Sequence, residues 1–223
     1  MNTQRRSPRN TRKFAAIGAG ILVVGLGATY TLASWNDSEW VWGGADGDPN
    51  VGTSEFNVQQ NTTSPFEGTD WDDFETNPGD ELTFTAGSLT LSPSDTIYAP
   101  VALRTEAGSV AADVELQGAV AATGVTVDDA NNDLWGAIRA TVYTATGAAP
   151  PAACTAAGVG NAGWAAIVTN APLGTVASAK QALGADAGST QHYCFALTLP
   201  AGSPSSLQGR SIAPAWEFAA TSK

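Results

Sequence analysis

From residue 81 onward, apolar and polar residues alternate with period two. Leu82 and Phe84 open the pattern, and Leu89 and Leu91 resume it after the Ala86-Gly87 break. Ile97, Ala99, Val101 and Leu103 share one face, as do Val110, Ala112, Val114 and Leu116. Ile138, Ala140 and Val142 continue the alternation, although Leu134, Ile138 and Val142 also fit a short helix. Tyr193, Phe195, Leu197 and Leu199 form a clear strand, and Ile212, Trp216 and Phe218 the last. Such alternation puts one face of each strand on a core. Turn clusters at Ser92-Pro93-Ser94-Asp95, Asp128 to Asp133 and Ala201-Gly202-Ser203-Pro204 separate the runs. Many short amphipathic strands with few helices predict an all-β, antiparallel β-sandwich. Residues 155 to 188 are rich in Ala and Gly and show no clear period, with Ala177 to Leu183 reading as a brief helix.

The first 33 residues follow a different pattern. Met1 to Lys13 is basic and polar, Phe14 to Ala33 is uncharged and mostly apolar, and the run closes on Thr31-Leu32-Ala33. Basic, apolar and small-residue regions in that order predict a secretory signal peptide cut between Ala33 and Ser34. The alternative is a retained anchor, since about 20 apolar residues just span a bilayer. Gly18, Gly20, Gly25 and Gly27 dilute the run, which favours cleavage. The expected organisation is a signal at 1–33, an N-terminal extended segment at 34–60 and a β-sandwich domain at 61–223. A signal peptidase is then a partner, and the chain contacts membrane only before cleavage.

Charge sharpens this division. The chain carries 10 Lys+Arg and 21 Asp+Glu, but five of the bases lie before Ser34 and none of the acids does. An acidic body repels phosphate backbones, which excludes nucleic-acid partners. Every charge from residue 34 to 81 is negative, whereas residues 134 to 216 hold one acid, Asp186, against Arg139, Lys180 and Arg210. An acidic leader ahead of the core serves solubility in the simplest reading.

Catalytic chemistry is thin, and the expectation is a non-enzyme without cofactor. His192, the single histidine, excludes two-histidine metal helices, and two cysteines exclude a Cys-rich zinc site. No Gly-x-Ser-x-Gly elbow accompanies His192. After export Cys154 and Cys194 can pair in only one way, closing a loop of about 40 residues that stabilises by roughly 4 kcal/mol. Calcium is the most reasonable ion. Asp70, Asp72 and Asp73 cluster with Glu75 in one loop, and Asp129 and Asp133 fall in another. Neither loop is an EF-hand, because Leu134 and Ala140 stand where Gly and Glu belong, so solvated acidic turns are the default. Adjacent carboxylates do not by themselves form a glycosidase pair.

The stretch from Gly27 to Glu39, with Ser34-Trp35-Asn36-Asp37 after the cut, resembles the alternate signal peptides processed by SipW-type signal peptidases. Leu89 to Leu103 (LTLSPSDTIYAPVAL), Cys194 to Pro200 (CFALTLP) and Ser206 to Ser222 are similar to the TasA/camelysin-like group of actinobacterial type. The resemblance implies a jelly-roll sandwich, secreted or at the cell surface, that builds a biofilm-matrix or surface filament. It also implies that an N-terminal strand completes the neighbouring subunit's sheet. Some camelysin-like relatives are described as metalloproteases, but this chain lacks the two-histidine helix.

The residues allow that exchange on physical grounds. Trp40 and Trp42 fall on one face of an extended Ser38 to Trp42, with Trp35 upstream and Gly43, Gly44 and Gly47 as a flexible link. Such a segment suits strand addition to an open sheet edge in another copy, giving a head-to-tail homopolymer. The alternative packs both tryptophans on their own sandwich. The rival functions are a monomeric adhesion or carbohydrate-binding module, which needs exposed coplanar tryptophans, and a secreted hydrolase, which needs a pocket holding His192 or the Asp70 to Glu75 carboxylates.

Overall fold

A computed structural model describes residues 53–223, apart from 65, 67–69, 86, 88 and 89. The signal, the cut at Ala33 and Ser34, and Trp35, Trp40 and Trp42 lie outside the described residues. Thr53–Lys223 forms one compact unit.

Among the described residues the strands are β1 (Val58–Asn61), β2 (Thr96–Thr105), β3 (Ala112–Leu116), β4 (Val120–Ala121), β5 (Arg139–Thr146), β6 (Ala165–Pro172), β7 (Gln181–Leu183), β8 (Gln191–Thr198), β9 (Pro214–Ala215) and β10 (Phe218–Ser222). They pair antiparallel into a five-stranded sheet, β1-β2-β8-β5-β6, a three-stranded sheet, β10-β3-β7, and a two-stranded ribbon, β4-β9. Among the described residues helix is confined to short pieces at Asp133–Ala137 and Ala156–Val159 and a 3-10 turn at Ser205–Leu207. The described unit is all-β.

The alternation read from the sequence now has a cause. Val101, Leu103, Val142, Tyr193 and Phe195 of the large sheet meet Ala112, Val114, Leu116 and Leu183 of the small one in a single buried cluster. A second cluster continues it to one end of the sandwich, with Ile97, Ala140 and Leu197 against Ile138, Leu173 and Leu207. Close packing of two apolar sheet faces is the dominant stabilising element. Gly118 permits a tight crossing there: a Cβ on it would stand 2.2 Å from the Gly174 carbonyl oxygen.

Several local expectations change. Leu82 and Phe84 pack half-buried against the core, but their stretch is not a strand; it touches β2 through Thr85, whose N–H donates to the Tyr98 carbonyl at 2.8 Å. Both readings of Leu134 to Val142 hold in part, because a short helix ends at Ala137 and β5 begins at Arg139. The helix expected over Ala177 to Leu183 is absent. Its last three residues form β7, since pairing with Ala112–Val114 buries Leu183 in the core. β1 runs across residue 60, where the sequence divides the leading segment from the sandwich, and Val58 packs on the unit's own core.

Candidate functional site

The chemistry-bearing residues fall on the outer face of the large sheet, at its two ends and along its edges. The outer face is covered at its centre. Cys154 and Cys194 are bonded, with Cα atoms 5.4 Å apart, and this ties residues 147–163 down onto β8. A second strap, between β1 and residue 80, sets Phe66 and Trp71 over Ala102. The Arg104 guanidinium lies 4.2 Å from the centre of the Trp71 ring, a cation–π contact, and its Nη2 donates to Gln59 Oε1 at 3.1 Å.

His192 sits under both straps, 1% exposed. Its ring is 5.4 Å from that of Phe66, and its Nε2 lies 3.0 Å from the Gly147 carbonyl oxygen, so Nε2 carries the proton. Nδ1 is buried and has no partner among the described residues. Burial pulls the imidazole below its ordinary pKa, and the Gly147 bond opposes this only in part. The sequence places His192 on the less apolar face of β8, yet every residue from Gln191 to Leu197 is buried. Alternation cannot reveal a sheet covered on both sides. The His192 ring is thus almost wholly withdrawn from solvent.

The acidic loops are also separated. Asp70, Asp72 and Asp73 are exposed on the strap. Asp72 exchanges two backbone hydrogen bonds with Gln60, at 2.9 and 3.0 Å, and thereby covers part of the outer edge of β1. Asp129 is buried and accepts from the amides of Leu134 at 3.0 Å and Trp135 at 2.9 Å, while Arg210 bridges to Asp129 at 3.3 Å and to Asp133 at 3.0 Å. Burial alone would raise the Asp129 carboxyl, but the Trp135 and Leu134 amides and Arg210 outweigh it and hold the pKa below the ordinary value. This carboxylate anchors the short helix. No group of three or more His, Cys, Asp or Glu side chains among the described residues could hold a metal ion.

The described tryptophans form no exposed platform. Trp71 is buried, and Trp135, Trp164 and Trp216 are half-buried. Trp216 packs on Phe195, with ring centres 4.8 Å apart.

The edges differ in how they are closed. On the outer side of β6, Ile167 O accepts from Ser178 N at 3.0 Å. On β10, the Glu217 carbonyl accepts from Gln117 N at 2.8 Å and Lys223 N donates to Ala111 O at 2.9 Å. The alternation of the antiparallel ladder then turns the backbone groups of Phe218, Ala220 and Ser222 away from β3. Among the described residues nothing bonds them. Phe218 and Ala220 nevertheless lean on the core, and the Phe218 ring stands 4.8 Å from that of Tyr193. β10 is an open strand edge beside half-buried aromatic surface. Alternation detects the strand but carries no information on its neighbours, so only topology reveals this edge.

The ends of the sandwich are distinct. Glu55, Phe56 and Asn57 lie at the end formed by Glu106 to Ser109, where Val110 N donates to Glu55 O and Glu106 N to Asn57 O. The other end carries a small pocket lined by Val125, Val127, Asp129, Trp135 and Ile212.

No helix among the described residues is long and apolar enough to cross a membrane. The disulfide is compatible with an extracellular protein. The chain matches no protein-family model and no curated protein.

Proposed function

We propose that this protein is a secreted, non-enzymatic structural subunit of an extracellular surface or biofilm-matrix filament, of the SipW-exported, TasA/camelysin-like kind and jelly-roll topology. Copies join head-to-tail by strand exchange. Signal cleavage frees the segment bearing Trp35, Trp40 and Trp42, which adds to the outer edge of β10 in the next copy.

The observation that carries this reading is the unbonded edge of Phe218, Ala220 and Ser222, set beside half-buried aromatic rings. An incoming strand satisfies these groups at about 1 kcal/mol net per hydrogen bond, and burial of each tryptophan adds about 2–3 kcal/mol. Association therefore draws mainly on backbone pairing and apolar burial rather than on surface charge, which salt screens within about 8 Å. The His192 environment and the separated carboxylates support a role without catalysis.

Electron microscopy and sedimentation of the mature chain from Ser34, with and without residues 34–43, test the reading. Filaments are expected only with the segment. Ala220→Pro removes a donor from the open edge that the single copy does not use, so it abolishes filaments while the melting temperature stays within a few degrees. Equal assembly of the truncated and intact chains would overturn the reading.

A further inference from the structure

We infer that the valine-bearing end of the sandwich is the seat for the Phe56 end of a second copy, and that this contact gives the assembly its direction. The inference rests on the reading that copies assemble, and names the surfaces by which their bodies meet. Val120, Val125 and Val127 are 55%, 49% and 44% exposed. Val125, Val127, Trp135 and Ile212 line a concave site there. Asp129, which also lines it, is held by two amides and Arg210. An exposed apolar patch with a built pocket marks a contact surface.

The complement sits at the opposite end. Phe56 is 42% exposed and is fixed in place, because the residues on either side of it bond to Glu106, Ser109 and Val110. β2 runs between the two ends with ten residues, a span of about 30 Å. Phe56 cannot reach the valine end of its own chain. Only another copy can bring the two together, and such a contact is heterologous, so it propagates instead of closing on itself.

The polarity agrees with strand exchange. In copies stacked this way, the chain preceding Thr53 of one copy starts beside the valine end of the next, which is also where β10 begins. A donor reaching along that edge from there runs antiparallel to β10, as the named strands of the fold pair with one another. One phenylalanine against two valines, Trp135 and Ile212 covers far less than the ~1,000 Å² of a stable interface. The end contact therefore sets direction and register, and the added strand supplies most of the affinity.

The test uses the mature chain with Phe56 replaced by p-benzoyl-phenylalanine, mixed with isotopically heavy wild-type chain and irradiated. Light-to-heavy adducts at residues 120–127 or 212–213 are expected, and Val125→Asp/Val127→Asp in the heavy chain lowers their yield at least tenfold. Both valines are exposed, so that variant retains the wild-type melting temperature; Phe56→Ser, from the other side of the contact, likewise cuts assembly at least tenfold. Adducts elsewhere, adducts within one chain, or a yield unchanged by the aspartates overturn the inference. If the aspartate variant polymerises normally while removal of residues 34–43 abolishes polymer, this contact is wrong and strand exchange stands. If the truncated chain polymerises and the aspartate variant does not, strand exchange is wrong and this contact stands.

Discussion

Opening the Cys154–Cys194 bond isolates what the crosslink contributes to stability. The bond spans 40 residues, and the segment it closes includes β6 and β7. Loop-closure entropy removed from the unfolded chain for a loop of that length corresponds to about 4 kcal/mol at 25 °C. Unfolding of about 170 residues carries an entropy near 0.36 kcal/mol/K, so reduction lowers the melting temperature by about 10 °C. Reduction is preferable to substitution because both sulfurs stay in place and core packing hardly changes. Cys194 is fully buried between Pro100 and Tyr143, so the bond is best reduced in denaturant and the chain refolded under reductant. Calorimetry and urea melts of the two forms give the shift and the slope. The slope rises on reduction, because an uncrosslinked unfolded chain exposes more surface. A shift below about 3 °C with an unchanged slope would refute the view that the bond acts through the unfolded state.

Three further outcomes follow from buried polar groups. His192 has its pKa depressed in the folded chain, so its stabilising contribution is complete above its unfolded value near 6.5 and is lost as pH falls toward the folded value, at up to about 1.4 kcal/mol per pH unit. His192→Gln flattens that part of the pH–stability curve from urea melts; an unchanged curve refutes the assignment. The Tyr193 hydroxyl is buried without a partner among the described residues, and burial drives its pKa far upward. Tyr193→Phe therefore leaves the melting temperature unchanged or raises it, by up to about 1 kcal/mol of stability, whereas a clear loss would reveal a missed partner. Asp129→Ala strands two amides and leaves Arg210 with Asp133 alone, costs about 3 kcal/mol and speeds hydrogen exchange at Leu134 and Trp135. The same carboxylate, with its pKa depressed, contributes fully above about pH 4 and loses that contribution as pH falls further.

Much of the sandwich was legible in the amino-acid pattern. β2, β3 and β8 show in it because each turns alternate residues onto one core, and the pairing of Cys154 with Cys194 because two cysteines permit only one bond. Other features depend on residues far apart in the chain. β7 forms because the edge of β3 needs a partner, although its own sequence suggested a helix. His192 and Cys194 are sealed because two loops fold over a face that alternation marks as outward. The open side of β10, and the placement of Phe56 and the valines at opposite ends, follow from strand order. Periodicity reports which face of a strand avoids water; it is silent on what lies beside the strand, because that neighbourhood is set by residues distant in the chain.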